Sequence, residues 1–381
     1  MYAQQRLYFL DHLKWFIIWL MVVFHAAMCY MAFAPQWWYV VDSREPVFSA
    51  TVFICWADIF IMPVMFFISG YFGLQSLVRH EEKEFWRRKL WRIVLPWLFG
   101  VLFIAPPVTY LILASRSAPM DFWTFYTTLF WGPLYEQAQY WYLGALLALY
   151  VLLTLVVRLF PALRVRSAAP VRRGRLFLAL FLLTFLSIGV LGSYLSPDLW
   201  QPFFYVLVLQ PVRIPTYLIF FFLGAHAFRQ RWFAAAGYTP TNPLWLVGCF
   251  LFSALYLWQR FTLPALGASA QVIAWTNAFC QAAFIWTATL GLLGFFQRYL
   301  GRTTPLRARL SETSYGVYYL HMAVLFPVVW AARSIDLGVY FKYALVCLVT
   351  LLLCDFLARY GLSHLSAFAL RKGADKGGGE G

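Results

Sequence analysis

What this chain has least of is charge. Asp, Glu, Lys and Arg make up 12% of its 381 residues, where soluble globular domains average about 25%. Acidic residues are the scarcer kind, 15 against 30 basic. This composition excludes an ordinary soluble domain. Cysteine is sparse too, and Cys29, Cys55, Cys249, Cys280, Cys347 and Cys354 all fall within or beside apolar runs. No CxxC and no Cys/His cluster occurs, so neither a disulfide framework nor a zinc centre is indicated. The thiols are expected to act as small buried hydrophobes, and no metal is expected. The apolar runs are continuous rather than alternating, which argues against a β-barrel. No internal repeat suggests an inverted-symmetry transporter.

What is abundant is apolar and aromatic sequence: 62% hydrophobic, 21% aromatic, mean hydropathy +0.69. Runs of about 20 such residues cross a bilayer as helices. Ten spans are expected, near 13–33, 52–78, 91–114, 139–160, 175–195, 211–229, 243–261, 270–297, 312–332 and 339–365. The chain is therefore expected to be an all-α, polytopic integral membrane protein. Residues 1–370 form one membrane domain, and the Gly-rich segment 371–381 is a disordered tail. The first run is too long for a signal-peptide core and is expected to stay as span 1.

The placement of charge sets orientation. The N-terminus, the even-numbered loops and the C-terminus hold 24 of the 30 basic residues. The positive-inside rule then puts both termini in the cytoplasm. The net charge of +15 is thus a topological signal and not a nucleic-acid footprint.

Against this apolar background a few polar groups stand out. His25 lies in the first run, about halfway along span 1, eleven residues after Lys14. That spacing returns the two to nearly one helix face, roughly 16 Å apart along the axis. His321 is embedded the same way in span 9. Ionisable groups at membrane depth are costly and are functional candidates by default. Ser311 is the expected N-cap of span 9, and Ser314, Tyr318 and His321 share a face at i, i+4, i+7. Asp58 lies in the outer half of span 2, and Asp355 in span 10 suits a structural ion pair. Glu136, Gln139, Trp141 and Tyr142 cluster at the outer start of span 4, where aromatic faces beside amide and carboxylate groups suit a sugar. Arg87, Arg88, Lys89 and Arg92 form a basic collar at the cytoplasmic mouth of spans 2 and 3, suited to phosphates. Pro63, Pro96, Pro106 and Pro107 are expected to bend spans 2 and 3. Simpler roles exist for each: a histidine can tie two helices, the collar can be a topological anchor, and the aromatics can be an interfacial belt.

Five motifs recur in a fixed order: Lys14-x10-His25, FFISGYF (66–72), RRKLWRIVLP (87–96), QYWYL (139–143) and SYGVYYLH (314–321). Together they resemble the bacterial acyltransferase-3 family of membrane O-acyltransferases, closest in appearance to its glucan-biosynthesis succinyltransferase branch. The chain departs from the family pattern at Lys14 and Lys89, where arginine is usual, and at Met322, where that branch often has a second histidine. The resemblance implies an acyl-CoA donor, no tightly bound cofactor, and His25 as an essential group for acyl transfer. It carries His321 over as a second catalytic candidate, and Lys14, Lys89 and Arg92 over as donor-binding residues, with Arg88 able to stand in for the missing arginine. Imidazole near neutral pH can take a proton from an acceptor hydroxyl. Tyr318, Ser69 and the amides beside Gly70 are candidate donors to the oxyanion. The expected activity is transfer of a succinyl- or acetyl-type group from cytoplasmic acyl-CoA to a hydroxyl of an extracytoplasmic glycan or glycolipid, at the cell inner membrane. The alternative is a proton-coupled transporter or flippase of an envelope metabolite, with buried His, Asp and Lys as its relay. A scaffold role leaves the ordered motifs unexplained. Whether copies associate as a homo-oligomer is left open by the sequence.

Overall fold

The structure, a computed structural model, describes residues 6–32, 39–42, 46–116, 120–165, 173–196, 198–234 and 237–365. Among them are ten helices long and apolar enough to cross a membrane: span 1 Tyr8–Met28, span 2 Phe48–Arg79, span 3 Glu82–Ala114, span 4 Ala138–Leu159, span 5 Arg173–Tyr194, span 6 Pro211–Arg229, span 7 Leu244–Ala265, span 8 Ala270–Tyr299, span 9 Pro305–Ala332 and span 10 Val339–His364. The all-α membrane fold is as the sequence led us to expect. The 371–381 tail and the basic residues Arg44, Arg166, Arg172, Arg371, Lys372 and Lys376 lie outside the described residues.

Three spans move relative to the sequence expectation. Span 3 starts at Glu82 rather than near residue 91. Span 1 ends at Met28, so His25 sits in its last turn rather than halfway along it. Beyond Cys29 the apolar chain leaves the helix: Met31 bridges to Val47, and the Ala32 amide donates to Thr51 Oγ1 at 3.0 Å. Span 9 starts at Pro305, not at residue 312. Its N-cap is Thr304, whose hydroxyl accepts from the Arg307 amide at 3.3 Å, with proline at the first helical position. Ser311 is therefore inside the helix and caps nothing.

Spans 2 and 3, which hold Pro63, Pro96, Pro106 and Pro107, are both irregular. Span 2 is two helices, Phe48–Ala57 and Ile61–Arg79, with Asp58 in the break and Pro63 in the first turn after it. A proline there removes an N–H that has no helical partner anyway. Span 3 alternates α-helix with two π-helical turns, Leu90–Val94 and Gly100–Ile104. In a regular helix the residue at 96 would donate to the Arg92 carbonyl, and Pro96 has no N–H to give. That carbonyl accepts the Tyr315 hydroxyl of span 9 at 2.5 Å, and the Pro96 carbonyl accepts Tyr319 at 3.0 Å.

Span 1 runs through the middle of the bundle, packed against spans 2, 8, 9 and 10. Spans 5 and 7 are peripheral and present Leu178, Leu182, Leu186, Phe250, Leu251 and Trp258 outward. An apolar exterior of this kind suits lipid. Between spans 5 and 6 a short hairpin pairs β1 (Gln201–Phe203) with β2 (Leu207–Leu209). Spans 9 and 10 are tied by Arg309 and Asp355 at 2.5 Å, with Thr313 donating to the same carboxylate at 2.7 Å. Asp355 thus has a structural pairing, as its sequence context suggested.

The closest helix contact joins spans 2 and 6. A Cβ on Gly70 would lie 1.8 Å from the Phe221 carbonyl oxygen, and one on Gly224 would lie 1.9 Å from that of Phe67. Small residues let membrane helices approach to backbone contact. Gly224→Ala is expected to destabilise the protein by about 1–3 kcal/mol, because the two helices must part. Thermal melting of the purified protein in detergent measures this, and an unchanged melt would reject the contact.

Candidate active site

The site is built where spans 1, 2, 4 and 9 converge. His25 Nδ1 lies 2.8 Å from the Met21 carbonyl, one turn back on its own helix. A carbonyl only accepts, so Nδ1 carries the proton and Nε2 keeps its lone pair. His25 lines a cavity of about 620 Å³, together with Asp58, Gln139, Trp141, Tyr142 and Tyr318. Five sequence candidates from three other spans are thus gathered around one imidazole.

His321 is fully buried behind this wall and is not a lining residue. Its ring centroid is 4.9 Å from that of His25, and its Nδ1 is 2.6 Å from the Tyr318 carbonyl. Its Nε2 has no hydrogen-bond partner among the described residues. Tyr318 and His321 share a face as expected, their rings 6.2 Å apart. Ser314 is on the same helix face, but its hydroxyl is spent on the Ser311 carbonyl at 2.8 Å.

The polar lining is already knitted together. The Tyr318 hydroxyl donates to the Gln139 carbonyl at 2.6 Å, so its proton is engaged. The Gln139 side-chain amide donates to the Tyr319 carbonyl at 2.9 Å, and its Oε1 is buried without a partner among the described residues. Ser69 and Tyr142 share a hydrogen bond of 2.7 Å. Gly70 lies mid-helix against Phe221, where its amide is part of the helical ladder, so it is a packing residue and not an oxyanion donor. Trp141 stacks on Tyr217, with ring centroids 5.9 Å apart, and Trp200 meets Trp141 edge-on at 5.3 Å.

Asp58 is paired with Arg213, which stands at the start of span 6. Sequence reasoning counted Arg213 only as a loop cation and missed it here, along with Arg260, Trp200, Gln210 and Tyr256, which also line the cavity. Arg213 did carry a signal: it is one of only six basic residues on the charge-poor side. Glu136 is half-buried just ahead of span 4 and does not line the cavity. Burial pushes its carboxyl up to about 8.

At the N-terminal end of the bundle the expected collar divides. Arg87 and Arg88 both grip Glu84, at 2.6 and 2.7 Å. Lys89 lies over the rings of Phe85 and Tyr150, at 4.9 and 3.9 Å. Lys14 is within electrostatic range of Arg92 and Arg6. Glu84 thus pairs with Arg87 and Arg88, while Lys14 has the carboxylate of Asp11 within range as well as Arg92 and Arg6.

A ten-span bundle with a histidine on the wall of a mixed aromatic and polar cavity agrees with what comparison shows. The acyltransferase-3 family model, an acyltransferase domain, matches residues 7–359, and the chain belongs to that family. It is a multi-pass membrane enzyme that transfers acyl groups. Among curated proteins it is similar to glucans biosynthesis protein C of Shigella dysenteriae serotype 1 (strain Sd197), 29% identical over 271 residues that cover 68% of this chain and 67% of that protein. The protein of the same name from Escherichia coli O9:H4 (strain HS) matches with the same identity and coverage. No solved structure matches the chain.

The Asp58–Arg213 pair gives the site a measurable energetic link. Removing either partner leaves an uncompensated charge at the cavity wall. In a double-mutant cycle of Asp58→Asn and Arg213→Gln, the two losses of stability are expected to be non-additive by about 0.5–3 kcal/mol. Strict additivity in thermal melts would mean that the pair contributes nothing.

Proposed function

We propose that this enzyme is an O-acyltransferase of the cytoplasmic membrane, taking a short acyl group of succinyl or acetyl type from cytoplasmic acyl-CoA. The acceptor is a hydroxyl of a glycan or glycolipid on the opposite side. The observation that carries this is His25: an imidazole with Nδ1 fixed by a carbonyl and Nε2 available, on the wall of a cavity lined by Trp141, Tyr142 and Tyr318. The name of the relatives, glucans biosynthesis protein C, supports a glucan-like acceptor. The basic residues of the N-terminus and even-numbered loops support cytoplasmic termini.

In this mechanism His25 Nε2 takes the proton of the acceptor hydroxyl as that oxygen attacks the thioester carbonyl. The oxyanion collapses, the C–S bond breaks, and His25 returns the proton to the leaving thiolate. Lys14, Lys89 and Arg92 hold the phosphates of the donor near the cytoplasmic surface. His25 lies roughly 16 Å further along span 1 than Lys14, a distance suited to an extended pantetheine arm. Asp58, Gln139, Trp141 and Tyr142 orient the acceptor; Trp141 supplies a flat face and Gln139 a hydrogen-bonding amide.

His25→Ala is expected to lower acyl transfer by about 10²–10⁴-fold, the usual worth of a general base, with folding intact. Release of CoA and mass spectrometry of the acylated glycan both read this. A variant with wild-type turnover would reject the role, and transport without acyl-CoA consumption would favour a transporter instead. Arg92→Gln should lower kcat/KM for acyl-CoA about ten- to a hundredfold, and much less for an acyl-pantetheine without nucleotide phosphates. Equal losses with both donors would remove the phosphate-binding role and leave His25 untouched.

A further inference from the structure

We propose that His321 is the proton-sharing partner of His25, so that the two imidazoles act as one base. The inference rests on His25 as the general base and assigns a task to a residue that touches neither substrate. Its foundation is the set of nitrogen commitments. Each Nδ1 donates to a carbonyl of its own helix, His25 to Met21 and His321 to Tyr318. Both Nε2 atoms are thereby lone-pair bearers, and the rings stand 4.9 Å apart, centroid to centroid, across the contact of spans 1 and 9. His321 Nε2 is completely buried and unpartnered among the described residues.

A histidine kept only to fasten two helices would use a nitrogen across the interface. His321 spends its one N–H within span 9 and leaves its acceptor bare, an arrangement that is rare for a buried polar atom and asks for an explanation. Two lone pairs cannot hydrogen-bond each other, so the resting pair has no N–H···N bond between its rings. A bond becomes available when a proton arrives. As the acceptor O–H breaks, Nε2–H forms on His25, and this new donor meets the lone pair of His321. The cation is then spread over two rings at a depth where a lone imidazolium is poorly solvated. When the C–S bond breaks, the thiolate takes the same proton, and both histidines return to neutral. No proton is gained or lost over the cycle, and His321 never contacts the reacting atoms. It is a positioning and proton-sharing residue, not a catalytic one in the direct sense.

The test uses the full-length enzyme in detergent or vesicles, with acyl-CoA and the acylated glycan as readouts. His321→Gln should lower kcat about ten- to a hundredfold, the worth of one hydrogen bond to a charged group, with KM for both substrates unchanged. In mixed H₂O/D₂O, the dependence of wild-type kcat on deuterium fraction should curve, because two protonic sites change together, and the variant should give a straight line. Imidazole added to His321→Ala should restore part of kcat. A variant with wild-type kcat, or one whose loss matches its loss of folded protein or appears only in KM, overturns the proposal. If no variant folds, a linear plot for the wild-type enzyme overturns it alone. Activity retained by His25→Ala would reject the base itself; an essential His25 beside a dispensable His321 would reject only the sharing.

Discussion

Inside a hydrocarbon slab no water is available to complete a hydrogen bond, so an unpaired polar atom is costly and the protein itself must supply most partners. That constraint organises this molecule from its prolines to its histidines. Pro96 interrupts the ladder of span 3, and the phenols of Tyr315 and Tyr319 reach across from span 9 to the carbonyls around the interruption. The start of span 4 is bound to span 9 in the same manner, through Gln139, Tyr140 and Tyr318. Span 9 is thus locked on two sides by side-chain-to-backbone bonds. Its next residue inward, His321, is delivered beside His25 as a consequence.

The same constraint separates structural charges from functional ones. Lys342 with Asp42, at 3.1 Å, and Arg309 with Asp355 are buried or partly buried pairs that join span 10 to the rest of the bundle. In each pair the charges neutralise each other, and none of the four residues lines the cavity. Asp58 and Arg213 also neutralise each other, but they do so on the cavity wall, where span 2 is broken into two helices. A carboxylate at a helix break is cheap to present to a polar ligand, because the break itself opens the packing. The backbone contact between spans 2 and 6 at Gly70 and Gly224 holds the second half of span 2 in place, so that the break remains a fixed feature of the cavity.

How much of this was legible in the sequence follows from range. Apolar run length is a local signal, and it yielded ten spans with most boundaries close to those observed. Helical spacing is local as well, and it put Tyr318 and His321 on one face. The caps were legible but misjudged: Thr304–Pro305 is a better helix start than Ser311, and hydropathy drew attention away from it because the first two turns of span 9 are basic and polar. The end of span 1 was not legible. The residues after Met28 are as apolar as those before it, and beyond it tertiary bonds such as Val47 N–H to the Tyr30 carbonyl and the bridge of Met31 to Val47 replace the helical ladder. The pairing of Asp58 with Arg213 joins residues 155 positions apart, and no periodicity reports that. The collar looked uniform in sequence because its acidic neighbour Glu84, three and four residues upstream of Arg87 and Arg88, was not weighed against it.

The shift of His25 to the last turn of span 1 bears on how two substrates of opposite origin can meet. A base at the middle of a regular bundle would need a deep polar shaft from both sides, and each turn of such a shaft would expose backbone and side-chain polar groups to be satisfied. With His25 near the end of its helix, the aromatic cavity reaches it directly, and only the side of Lys14 and Arg92 is separated from it by length. On the proposed chemistry that asymmetry matches the reactants. A thioester on a thin, flexible arm can cross a narrow gap between helices, whereas a sugar hydroxyl comes attached to a bulky, strongly hydrated ring that needs a wide mouth.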